Sequence, residues 1–170
     1  MSEQQHISHE IEPVFDEHSR VLMLGTMPSP RSREQGFFYG HPQNRFWKVL
    51  AAVLDEPVPT SIPEKKQMLL AHGIALWDVL ASCTIQGASD ASIRDPRPND
   101  LRLILDRANI EGIFCTGAKA TQLYRKLCEP DLGIPCRQLP STSPANAAMG
   151  PSVLIEAYRE ALLPLLDQNS

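Results

Sequence analysis

The chain has 170 residues, a formal net charge of −4 and 42% hydrophobic residues, enough for one domain with a sizeable core. It holds no run of about 18 apolar residues that would span a bilayer. Its polar start, Met1 to His9, lacks the charged-then-apolar layout of a secretory signal. The acidic balance argues against a general nucleic-acid coat protein but leaves room for a local basic face, because phosphate contacts depend on clustered Lys and Arg.

Cys83, Cys115, Cys128 and Cys136 form no Cys-x-x-Cys pair, so zinc and iron–sulfur sites are disfavoured and buried reduced thiols in a cytoplasmic protein fit best. No metal and no cofactor are expected, and the chain is expected to be a monomer without membrane contact.

Residues 1–19 are polar and are expected to be a mobile lead-in with one turn of order at most, with residues 20–167 as the single domain. Arg20 to Gly25 is a short apolar run ending in Gly, the pattern of a buried parallel strand. Thr26-Met27-Pro28-Ser29-Pro30 follows, and its two prolines forbid an immediate helix. Next comes Gly36-Phe37-Phe38-Tyr39-Gly40-His41-Pro42-Gln43-Asn44-Arg45-Phe46-Trp47. Here an aromatic-lined loop places an amide at the start of a helix expected over 42–54, with Pro42 in its first turn. A loop of this kind can receive a flat ring and offer it hydrogen bonds. The plainer alternative is a hydrophobic loop covering a core, with Asn44 an ordinary first-turn residue.

Ser61 before Pro63 and Glu64 marks a helix start, leading to Gly73. Residues 74–80 read as a second strand. Asp78 is the lone acid in that apolar run and is either a catalytic carboxylate or one that bonds nearby backbone. Residues 83–98 are expected as a long polar loop, and Asn99-Asp100 as the cap of a helix through Ala108. A third strand is expected over 110–115, ending at Thr116-Gly117, then a helix over 118–127, a fourth strand over 134–139 and a last helix opened by Pro151. The alternation predicts an α/β fold, a three-layer α/β/α sandwich on a four-stranded, largely parallel central sheet.

Three loops then fall at carboxyl ends of strands: 25–30, 116–117 and 140–146. In a parallel sheet these ends share one edge, where they can meet the Tyr39–Asn44 loop in a single crevice. That crevice has aromatic, amide and hydroxyl groups but no His-Asp-Ser set, no paired carboxylates and no phosphate-cradling glycine run. Proteases, typical glycosidases and nucleotide triphosphatases are thereby disfavoured. A site that stacks a flat heterocycle and bonds its edge fits better.

Gly25-Thr26-Met27-Pro28-Ser29-Pro30, the 36–47 stretch and Leu139-Pro140-Ser141-Thr142-Ser143-Pro144-Ala145-Asn146 together resemble the uracil-DNA glycosylase superfamily. The match is nearest to its hypoxanthine-DNA glycosylase branch, with the mismatch-specific uracil/thymine glycosylases as cousins. The resemblance runs from about Val14 to Leu163. It implies a monofunctional glycosylase that flips a deaminated base out of DNA and hydrolyses its bond to deoxyribose. It also implies that Tyr39 stacks on the base, that Gly25, Thr26, Met27, His41 and Thr116 line the base pocket, and that Ser141, Thr142, Ser143, Pro144, Ala145 and Asn146 enter the minor groove. The cousins carry a water-orienting Asn where this chain has Met27, so the resemblance moves that role to the Asn44 amide. Where members of the branch can carry Asn, this chain has Thr116.

Arg31, Arg33, Arg45 and Lys48 around the first two loops, with Arg94 and Arg97 farther on, form a candidate basic rim for phosphates. Arg31 and Arg33 are its expected DNA contacts; ordinary solvated surface charge is the alternative. Two further functions stay open at this level: a non-catalytic nucleic-acid-binding module on the same fold, and an enzyme on free nucleosides. The 141–146 loop speaks against the second, since a small substrate needs no wedge.

Overall fold

The computed structural model describes residues 5–8, 11–27, 30–86 and 90–166. Its centre is a four-stranded, wholly parallel sheet in the order β3-β2-β6-β7, formed by β2 (Val21–Gly25), β3 (Ile74–Asp78), β6 (Gly112–Thr116) and β7 (Arg137–Leu139). Helices flank it: α1 (Pro30–Gln35), α2 (Phe46–Leu54), α3 (Ile62–Ala71), α4 (Arg102–Leu105), α5 (Ala118–Leu127), α6 (Glu129–Leu132) and α7 (Pro151–Leu166). All five residues of β2 and of β3 are buried, which is why both read as near-continuous apolar runs, Asp78 excepted, rather than alternating ones. Helices α2 and α7 pack on each other, α7 also on β2, and α5 on β6 and β7.

The α3 start follows its sequence signal closely. The Ser61 hydroxyl accepts from the Glu64 N–H while the Glu64 carboxylate accepts from the Ser61 N–H, a reciprocal capping box. Ser61→Ala is expected to lower stability by about 1 kcal/mol, read as a drop of a few degrees in Tm with no change in function.

A second sheet was not expected. Strands β1 (Gln5–Ser8), β4 (Leu80–Ile85) and β5 (Arg94–Pro98) form an antiparallel sheet in the order β1-β4-β5. The segment expected as a lead-in therefore supplies β1, and Val14, buried, bridges to Leu76. The expected single strand over 74–80 divides at Val79. The Val79 and Leu80 N–H groups donate to Gly25 and Thr26 carbonyls, and the Asn99 amide donates to the Asp78 and Leu80 carbonyls. The chain thus turns out of the parallel sheet at the end of β3. Much of the expected 83–98 loop is β4, a short 3-10 turn (Asp90–Ser92) and β5. Strand β5 carries mostly exposed polar side chains, so its main-chain pairing has no apolar periodicity to announce it.

Helix α2 begins at Phe46, not at Pro42. His41 and Asn44 close a tight turn instead: the Asn44 N–H donates to the His41 carbonyl, His41 Nδ1 accepts from the Gln43 N–H, and Asn44 Oδ1 accepts from the Phe46 N–H. Short side-chain acceptors compete with helix at such positions. Regular helix α4 stops at Leu105, and β6 and β7 begin later than their apolar runs suggest.

Candidate active site

The carboxyl ends of β2, β3, β6 and β7 share one edge, with Gly25 level with Asp78 and Thr116 level with Leu139. Gly25 is what allows groups to gather there. A Cβ on it would lie 2.6 Å from Asp78 Oδ1 and 3.1 Å from the Tyr39 hydroxyl, so any larger residue would displace the carboxyl or the phenol.

Tyr39 reaches this edge from the aromatic loop. Its backbone is left-handed, φ 52°, a conformation that costs a non-glycine residue roughly 1–2 kcal/mol. The ring stacks on Phe46 with centroids 3.9 Å apart and planes within 10°, and its hydroxyl lies 3.0 Å from Thr116 Oγ1. Thr116 in turn donates to the Leu24 carbonyl, so the proton order runs from Tyr39 through Thr116 to the main chain. Burial, with Asp78 adding to it, pushes the phenol well above its ordinary range; Tyr39 is a neutral ring and not a base. One face of the ring is taken by Phe46.

Asp78 is buried at 4% exposure, and among the described residues its Oδ2 has no hydrogen-bond partner. Burial pushes its carboxyl up to about 7. Oδ2 bonds no backbone group among the described residues, and both the catalytic and the structural role stay open to Asp78.

The Asn44 amide has a defined orientation. Oδ1 accepts from the Phe46 N–H at 2.9 Å and from the Thr142 hydroxyl at 2.8 Å. A backbone N–H cannot be an acceptor, so the oxygen must face Phe46. With both lone pairs of that oxygen engaged, the group Asn44 presents is its NH₂.

Arg45, a member of the expected basic rim, turns inward. Its guanidinium donates to the carbonyls of Met149 (2.6 Å), Asn146 (3.0 Å), Ser143 (3.1 Å) and Thr142 (3.5 Å), and its N–H donates to Thr142 as well. In the same segment Thr142 is buried at 1% exposure with its hydroxyl on Asn44, Ser141 lies against Gly117, and Pro144 and Ala145 are exposed at the tip. Ser143 and Ser141 hydroxyls accept from N–H groups within the loop, and the Asn146 amide donates to the Ser141 carbonyl.

The structure therefore brings together Gly25, Tyr39, Asn44, Thr116 and the 141–146 loop. Thr26 sits at the same edge with its carbonyl engaged by Leu80, and Met27 packs partly buried against the core. The His41 carbonyl accepts from the Asn44 N–H, while among the described residues its ring bonds only the Gln43 N–H of its own turn. Arg31 and Arg33 lie on α1, with side chains outside the described part, as are residues 28 and 29 of the first motif. Lys48, Arg94 and Arg97 are exposed. The roles of Arg45 and of the Thr142 hydroxyl left no trace in the sequence, because each depends on a contact spanning nearly a hundred residues. Among the described residues no group of three or more His, Cys, Asp or Glu is placed to hold a metal ion.

Residues 12–166 match the family profile described as Uracil DNA glycosylase superfamily. A Methanosarcina acetivorans protein named hypoxanthine DNA glycosylase is 31% identical over 134 residues, covering 78% of this chain and 84% of that protein. A Methanosarcina barkeri protein of the same name is 30% identical over 136 residues, covering 79% and 85%. A solution NMR structure from Methanosarcina acetivorans, solved as a candidate uracil DNA glycosylase, superposes with a TM-score of 0.76 at 27% identity, covering 92% of this chain and 98% of that one.

Proposed function

The chain belongs to the uracil DNA glycosylase superfamily, and from that premise we propose that it is a monofunctional DNA glycosylase that flips a deaminated base, hypoxanthine or uracil, out of DNA and hydrolyses its N-glycosidic bond. The observation that carries this reading is the Asn44 amide, locked by Phe46 and Thr142, with the Phe46 ring stacked on Tyr39. The similarity to two proteins named hypoxanthine DNA glycosylase supports the substrate class.

In this reading the extruded base stacks on Tyr39, on the face opposite the one backed by Phe46. Such a platform favours any flat ring and excludes water from one side of it. The bond between C1′ and the base nitrogen then breaks, its electron pair leaving with the base and a cation-like sugar remaining. Water adds to C1′, and its proton passes to solvent or to the departed base. This chemistry asks for an oriented water and for hydrogen bonds to the leaving base, not for a strong base. Asn44 holds the water by donating an N–H to its oxygen, leaving the second lone pair free for C1′. The exposed tip of the 141–146 loop meets the duplex from the minor-groove side and supports the gap left by the base.

Single-turnover incubation with oligonucleotides carrying one deoxyinosine, deoxyuridine, deoxyxanthosine or ethenodeoxycytidine, followed by alkaline cleavage, tests this directly. Strand scission at deoxyinosine or deoxyuridine without added metal is expected. DNA binding with no abasic product from any member would replace the enzyme by a non-catalytic binding module. Affinity should also fall as salt rises, and Arg31→Ala with Arg33→Ala should weaken binding evenly across sequences. An affinity indifferent to salt would remove those two arginines from the DNA contact.

A further inference from the structure

A loop without regular structure must still find partners for its main-chain carbonyls. The 142–149 segment finds them in one side chain from a distant part of the chain, Arg45. We propose that Arg45 is a positioning residue: its guanidinium gathers the Thr142, Ser143, Asn146 and Met149 carbonyls so that the loop keeps the shape that meets DNA and the Thr142 hydroxyl keeps the Asn44 amide in place. The inference rests on the glycosylase reading for its consequences in catalysis, and on geometry alone for the clamp.

Three features carry it. The guanidinium is the one side-chain group with five N–H donors in a rigid plane, and here that fork is spread over carbonyls from four residues. Among the described residues no carboxylate forms an ion pair with Arg45, so its directed hydrogen bonds are all spent on the loop. And Arg45 follows Asn44 directly, so the two ends of the loop contact converge on one dipeptide: Arg45 N–H and Nε on the Thr142 carbonyl, Asn44 Oδ1 on the Thr142 hydroxyl. Moving the loop moves Thr142, and moving Thr142 leaves the amide oxygen with the Phe46 N–H as its one remaining donor. Tyr158, which donates to the Pro140 carbonyl at 2.6 Å, ties down the start of the loop but reaches none of the four carbonyls held by Arg45.

Lysine keeps the charge of Arg45 but gathers its donors at a point, and so distinguishes a clamp from a phosphate contact. In the free protein, amide hydrogen exchange over 142–149 should quicken by about tenfold or more in Arg45→Lys, with β2 and β6 unchanged. Exchange at the wild-type level in that segment would overturn the proposal. Arg45→Lys and Arg45→Met should both bind a duplex with an abasic-site analogue about tenfold more weakly, at an unaltered slope of affinity against salt. If Arg45→Lys binds as wild type while Arg45→Met reduces the slope by about 0.9, the loss of one phosphate contact, Arg45 is a DNA contact and the clamp is wrong. Thr142→Val should slow single-turnover cleavage by about ten- to a hundredfold, the scale of a misplaced catalytic group. Thr142→Ser should restore it, and equal rates in the Val and Ser variants would count against the link to Asn44. Should the wild type cleave none of the damaged oligonucleotides while Arg45→Lys still loosens 142–149, the glycosylase reading has failed and the clamp stands.

Discussion

Asn44→Ala is expected to lower single-turnover cleavage of deoxyinosine- or deoxyuridine-containing DNA by roughly two to four orders of magnitude, the scale of losing a positioned catalytic group. DNA affinity should change little, because the amide is tied to Phe46 and Thr142 rather than placed on the exposed loop tip. Asn44→Asp is the informative companion. A carboxylate retains the oxygen that accepts from Phe46 and Thr142 but replaces the outward NH₂ by an acceptor. If donation by that NH₂ holds the water, Asn44→Asp is about as slow as Asn44→Ala wherever its carboxyl is ionised, since an ionised carboxylate only accepts. Partial activity that rises with pH would mean instead that the water is held by an acceptor. A folded Asn44→Ala variant with near-wild-type rate, beside an inactive Asp78→Asn, would move the water to the buried carboxylate. Geometry argues against that outcome: Asp78 Oδ2 is closed off from solvent in the free protein, and at a pH below about 7 the carboxyl keeps its proton.

Asp78 should make itself felt first in stability. Burial raises its folded-state pKa from the ordinary 3.8 to about 7, so between those values the native chain holds a proton that the unfolded chain releases. Stability from this group is fully present below about pH 4, declines as pH rises, and is gone above about pH 7. The span corresponds to roughly 4 kcal/mol. Tyr39, the titratable group facing it, stays neutral throughout this range and does not alter the sign. Asp78→Asn removes the titration and leaves a pH-independent offset. The melting temperature of the variant minus that of the wild type should therefore climb by roughly 10 °C between pH 4 and pH 8. Parallel melting profiles across that range would mean that the carboxyl is solvated or paired in solution.

Local sequence determined a good deal of this protein. Near-continuous apolar runs identified β2 and β3 because strands buried on both faces need no alternation, and Ser61 with Glu64 set the start of α3 because a capping box is closed within four residues. The helix over Ala118–Leu127 follows from its own periodicity, and the clustering of three loops at one edge follows from the parallel sheet. Tertiary structure decided the rest, wherever the deciding contact lies far along the chain. Strand β5 exists because β4 pairs with its backbone, and its exposed polar side chains give no sign of that. Asp78 has a raised pKa because it is buried, beside Gly25 some fifty residues earlier, where a Cβ would collide with its Oδ1. Arg45 reads as a surface cation, yet it is turned inward by carbonyls about a hundred residues away. The same distance separates Asn44 from Thr142, and so the sequence could point to the amide but not to which of its two ends faces the substrate.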